Sequence, residues 1–259
     1  MLIGITYSIV ILLSCIFGAI VGLSGGLFFR PIFDAIGHHD VMNIGFFASS
    51  AILFMAIVST IKKIQDGTKI NPKIAILVSL GAVFGGTIGN LLLEYFLAFF
   101  QHETTVQYIQ IVVTIIVLII SLILTAKNDL RCELRNNILI VILGVFLGTI
   151  ATFLGIGGGP LNVPIFMIFF GMNIKDATAY SIVVILFSHL SRLVTLGLTV
   201  GYLYFDLAIL PFVIIAASFG GLIGAKLTKI SSEKTVKRLF QGALCLVILL
   251  NIISGLILF

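Results

Sequence analysis

The chain has 259 residues, of which 60% are hydrophobic and 10% charged, with a mean hydropathy of +1.27. Soluble domains carry roughly 25% charge, so a water-soluble enzyme or binding domain is excluded and a polytopic membrane protein is implied. The net charge of +5 falls mostly between apolar runs, where it reports orientation in a bilayer and not nucleic-acid binding.

No charge occurs before Arg30. With no basic start and no small-residue cleavage signal, the opening run reads as a retained membrane segment. It extends to about Ile36, too long for one crossing, and is interrupted by Gly22-Leu23-Ser24-Gly25-Gly26. Uncharged runs able to cross a bilayer of about 30 Å, which takes about 20 residues, follow at Val41 to Ile61, Ile74 to Leu93 and Thr104 to Ala126. Residues 127–135 form a charged linker. The next uncharged run, Asn136 to Ile174, is 39 residues long and is broken by Gly155-Ile156-Gly157-Gly158-Gly159-Pro160-Leu161-Asn162-Val163-Pro164. Crossings at Ala177 to Gly197, Leu207 to Ala225 and Leu239 to Phe259 complete the chain. Each interrupted run is expected to hold one longer and one shorter helix around its kink, because interior Gly and Pro cost about 1 and 3 kcal/mol against Ala. About 8 to 10 membrane segments result, in an all-α fold.

Gly22 to Ile32 aligns without gaps on Gly155 to Ile165 at an offset of 133 residues, and Ile52-Leu53-Phe54 meets Ile185-Leu186-Phe187 at the same offset. The Gly-rich run Gly85 to Gly89 has its mate at Gly220 to Gly224. The chain is a duplication, residues 1–126 and 136–259 being its copies. Loop charges reverse between them. Lys62, Lys63, Lys69 and Lys73 follow the first clear crossing of copy one, whereas the equivalent loop of copy two is nearly neutral and the next carries Lys226, Lys229, Lys234, Lys237 and Arg238. Opposite charge bias in duplicated halves points to inverted-topology repeats, each with three full crossings plus a kinked pair. That arrangement puts the linker and both basic loops in the cytoplasm; a parallel repeat with plain eight-helix topology is the alternative.

A kink in an apolar segment needs its freed backbone groups satisfied by protein, water or ligand. Two symmetric kinks facing one cavity make a site for an anion, since helix N-termini attract negative charge and glycine lets a substrate oxygen approach the backbone. On this reading Ser24, Gly25, Gly26, Gly157, Gly158, Gly159 and Asn162 contact the substrate. Arg30 adds a cation close to the kink, against the plain reading of an interfacial side chain. Ser49, Ser50, Thr178, Tyr180 and Ser181 offer hydroxyls, although hydroxyls in membrane helices usually bond back to their own helix. His189 and Arg192 share a helix face and suit proton coupling or substrate attraction. Asp176, aligned with Asn43, reads as a helix cap. His38-His39-Asp40 is a poor metal set, Cys15, Cys132 and Cys245 form no cluster, and no catalytic triad or carboxylate pair is readable; neither a metal, a cofactor nor an enzyme is expected.

The Gly155 to Pro164 segment, its second copy and the matched Gly-rich helix after each resemble the TauE/SafE sulfite and sulfonate exporter family, over essentially the whole chain. The resemblance implies outward transport of small sulfur-containing anions such as sulfite, sulfoacetate or other organosulfonates, in the plasma membrane. The first copy departs from the pattern at Leu23-Ser24 and at Arg30. The residues themselves leave open a secondary carrier coupled to protons or sodium, a gradient-independent anion channel, or a cation or metal permease. They also leave the oligomeric state open, a homodimer included.

Overall fold

A computed structural model describes residues 2–100, 102–126, 132, 134–154 and 158–257. Among them it is all-helical: α1 (Leu2–Val21), α2 (Gly26–Ile36), α3 (Val41–Gln65), α4 (Pro72–Phe100), α5 (Glu103–Ala126), α6 (Asn137–Phe153), α7 (Asn162–Phe169), α8 (Ile174–Thr199), α9 (Leu210–Ile230) and α10 (Glu233–Ile257). Seven of these helices are long and apolar enough to cross a membrane, and α6 is a shorter apolar helix. Each interrupted run does split into a longer and a shorter helix, α1 with α2 and α6 with α7.

The two helix starts that align at the 133-residue offset are built alike. Asp40 caps α3 by accepting from the Asn43 amide at 2.7 Å, and Asn173 caps α8 by accepting from the Asp176 amide at 2.9 Å. Asp and Asn have exchanged places across the 133-residue offset. Asp176 is therefore the capped residue rather than the cap, and its carboxylate takes the Asn173 side-chain amide at 2.8 Å.

Packing is exchanged between the halves. Helix α1 lies along α9, and α6 lies along α4. Both seams are lined by glycine: a Cβ on Gly224 would sit 2.5 Å from the Ile16 carbonyl oxygen, and one on Gly85 would fall inside the Val145 carbonyl. Water supplies no hydrophobic drive between helices inside lipid, so such close backbone packing is what holds them.

Contacts at the helix ends give direction. The C-terminal end of α3 meets the N-terminal part of α8, where Lys63 Nζ donates to Thr178 Oγ1 at 3.3 Å and the Asn71 amide donates to Tyr180 Oη at 2.6 Å. At the other end the Asp206 amide donates to Asn43 Oδ1 at 3.0 Å. Helices α3 and α8, which occupy equivalent places in the two copies, thus run antiparallel. The α3–α4 loop, the end of α9 and the start of α10 share one face, with Lys229 Nζ 3.1 Å from Asp66 Oδ1 and Lys237 Nζ 3.4 Å from the Ala126 oxygen. That face is basic. On the opposite face Tyr7, His39 and Asp206 form a hydrogen-bonded chain at 3.2 and 3.4 Å.

The Lys62 and Lys229 ammoniums, at 2.8 and 3.1 Å, hold the Asp66 carboxyl below the usual carboxylate range. A depressed carboxyl stabilises the fold above its unfolded pKa of about 3.9 and loses that contribution as pH falls through its folded value. Asp66→Asn should therefore lower the melting temperature at pH 7, with the gap to wild type closing below about pH 4. A gap that persists at acid pH would show that the pairing is not its source.

Candidate functional site

Helix α1 ends in a left-handed turn at Gly22 (φ +74°), whose amide donates to the Gly18 oxygen at 2.8 Å. After Leu23 and Ser24 the chain doubles back as α2, so that Tyr7 near the start of α1 meets His39 just past the end of α2. In the second copy α6 ends at Phe153, the chain turns through Gly158 and Gly159 (φ +115°), and α7 runs back toward the basic face. There the Leu134 amide donates to the Phe169 oxygen at 2.8 Å. Both kinked pairs enter and leave on one side, the first from the face opposite the basic one and the second from the basic face.

The two kinks touch. A Cβ on Gly159 would lie 3.0 Å from Leu23 Cα and 3.3 Å from the Gly22 oxygen. Because α2 runs from this junction to the face opposite the basic one and α7 from it to the basic face, the N-termini of both short helices converge on one region. Oriented amides at such termini carry partial positive charge.

Asn162, the first residue of α7, is 2% exposed, and its Nδ2 has no hydrogen-bond partner among the described residues. It lines a small cavity with Gly158, Gly159 and the α6 residues Leu147, Ile150 and Ala151. An unpaired buried amide costs about 1–3 kcal/mol, and this donor faces a cavity where an acceptor would relieve that cost. The cavity has room for about 10 Å³, roughly one water, and the elements around it must part to admit a larger anion. The larger cavity, about 250 Å³, is apolar and lies on the flank of α1 and α9 between Ser8, Leu12, Phe212 and Phe219. Its exposed neighbours Ile9, Ile215 and Phe219 suit a lipid tail and not an anion.

The family model Sulfite exporter TauE/SafE matches residues 7–250. The chain belongs to that family. Among curated proteins and solved structures nothing matches. A TauE/SafE chain with seven candidate spans is a multi-pass membrane transporter of the sulfite exporter class.

In this TauE/SafE protein the residues singled out from sequence fall into three groups. Around the kinks lie Ser24, buried at 1% exposure, Gly25 against Cys15, Gly26 against Ile52, Gly158, Gly159 and Asn162. Gly157 lies outside the described residues. Ser181 is there too, but its hydroxyl is engaged, donating to the Gly22 oxygen at 2.6 Å and stapling α8 to the first kink. The second group is cationic: Arg192 reaches over Gly45 and stands close enough to Arg30 for the two guanidiniums to repel. His189, 4% exposed, sits one turn away on α8. The third group points elsewhere. Ser49 bonds back to the Gly45 oxygen of its own helix at 2.9 Å, Ser50 is buried in α3, and Tyr180 holds the α3–α4 loop at the basic face.

Sequence reading passed over Lys63 as one of several loop charges. The structure buries it to 3% exposure against Thr178, the residue that abuts Gly22. The available signal was helical phase: Gly45, Ser49, Ile52, Ala56, Ser59 and Lys63 recur at intervals of three and four, so Lys63 continues the inner stripe of α3 while Lys62 does not.

Proposed function

We propose that this transporter carries small sulfur-containing anions, with sulfite, sulfoacetate and other organosulfonates as candidates, outward across the plasma membrane by alternating access. Residues 1–126 and 136–259 act as inverted repeats joined by a cytoplasmic linker. The substrate binds where the kinks meet. Asn162 carries this reading: a buried amide with an idle donor, at the N-terminus of one short helix and beside the N-terminus of the other, offers hydrogen bonds to an oxyanion and no countercharge to a cation. Ser24 and the kink glycines Gly25, Gly26 and Gly157 to Gly159 let oxygen atoms approach the backbone. Arg30 and Arg192 gather anions at the outer end, and His189 beside them is the group to couple a proton.

Proteoliposomes containing the purified chain test this. Saturable sulfite flux driven by a proton or sodium gradient supports the carrier, whereas ohmic gradient-independent current supports a channel and divalent-cation flux a permease. Arg30→Gln is expected to raise the KM for sulfite about tenfold, the loss of one charge-assisted contact, with yield and helix content unchanged. An unaltered KM in the inserted variant would remove Arg30 from the path.

A further inference from the structure

We propose that Lys63 is a second anion-binding group, at the basic-face end of the path through the kinks; the proposal rests on the anion-carrier reading above. Its ammonium has three donors and, among the described residues, uses one, toward Thr178 Oγ1 at 3.3 Å. No carboxylate among the described residues lies within ion-pairing distance. The Asp176 carboxylate at the start of α8 accepts the Asn173 side-chain amide on one oxygen at 2.8 Å. One turn back on the same face of α3, Ser59 is fully buried with its hydroxyl unpartnered. A lysine near a helix end ordinarily snorkels to the interface. Here Lys62 takes that part, pairing with Asp66 at 2.8 Å, while Lys63 turns inward at 3% exposure. A charge buried in a membrane helix with so few partners is expensive and marks an ion or substrate path.

The duplication supplies the context. Lys63 of α3 lies over Thr178 of α8, and Arg192 of α8 lies over Gly45 of α3; Gly45 and Thr178 are equivalent positions at the 133-residue offset. Each long helix therefore sets a cation against the start of its mate, one cation at each end of the crossing. Between them Ile52 packs on Gly26 and Ile185 on Gly158, where an added Cβ would lie 2.9 and 3.6 Å from the isoleucine side chains. An anion leaving the kinks toward the basic face meets Lys63 with two idle donors and the Ser59 hydroxyl.

The test uses the full chain in detergent, its melting temperature followed against sulfite, sulfate, phosphate and chloride. Lys63→Gln should need about tenfold to a hundredfold more anion for the same stabilisation, while its anion-free melting temperature stays level or rises because a buried charge has gone. Lys63→Arg should retain the response, and Lys62→Gln, which loses the pairing with Asp66 and melts lower, should show the wild-type anion response. A Lys63→Gln protein with an intact anion response overturns the proposal, and a lowered anion-free melting temperature alongside that response identifies the lysine as a tether. If wild type responds to sulfate but not to sulfite, the sulfite reading fails and Lys63 stands. If no anion stabilises wild type, both fall.

Discussion

Asn162→Leu is expected to reduce sulfite flux at least a hundredfold while leaving the purified protein no less stable than wild type. The two side chains share a γ-branched outline and the site is 2% exposed, so leucine sets two methyl groups where Oδ1 and Nδ2 stood, with the small cavity beside the site taking part of its extra bulk. It also removes an amide donor that no atom of the described residues satisfies, and replacing an unsatisfied buried polar group with an apolar one of like shape is neutral or stabilising. A merely structural asparagine would behave in the opposite way, losing stability and flux together. Asn162→Asp sharpens the contrast. A carboxylate in the first turn of α7 interacts favourably with the helix dipole, so the fold should tolerate it, but it would repel the anion and flux should again vanish. Flux near wild type in either variant, at equal protein density in the vesicles, would remove the amide from the substrate site.

Much of this architecture was legible because it rests on patterns that survive in one dimension. The uncharged runs gave all the long helices, with ends shifted by a few residues where caps or loop charges extend them, as at Lys62 to Gln65 of α3 and Glu233 to Arg238 of α10. The paired Gly-rich interruptions gave both kinks. Their meeting was a matter of tertiary arrangement: nothing in Gly22 to Gly26 states that Leu23 will lie against Gly159. The exchange of α1 and α6 between halves was equally hidden, since the matched glycines of α4 and α9 announce close packing without naming the partner.

The hydroxyls show a different limit. Ser49, Ser181 and Tyr180 look alike as candidate ligands, yet one bonds to its own helix, one to a kink carbonyl and one to a loop amide. Which partner a hydroxyl finds depends on what the neighbouring helix brings within about 3 Å. Asn162 escaped that fate because its neighbours are glycines and aliphatic side chains.

The second large effect is expected at Gly148, where valine should leave little folded protein. A Cβ there would overlap the Ala82 carbonyl and lie 2.7 Å from Ala82 Cα. Both are backbone atoms, so no rotamer change relieves the clash, and α6 would have to move off α4. That separation removes the tightest seam between the halves and breaks the bond from Thr149 Oγ1 to the Gly85 oxygen at 3.1 Å. In lipid the displaced helices gain nothing in exchange, because close packing is the main attraction available. Detergent-extracted Gly148→Val should therefore run as aggregate on size exclusion, or melt far below wild type, whereas Gly242→Ala, with nothing within 4 Å of its Cβ, should be indistinguishable from wild type. A monodisperse Gly148→Val protein with a wild-type melting temperature would mean that α4 and α6 are not packed in this way. The site would then need redrawing as well, because Leu147, Ile150 and Ala151 of α6 form the wall that closes over Asn162.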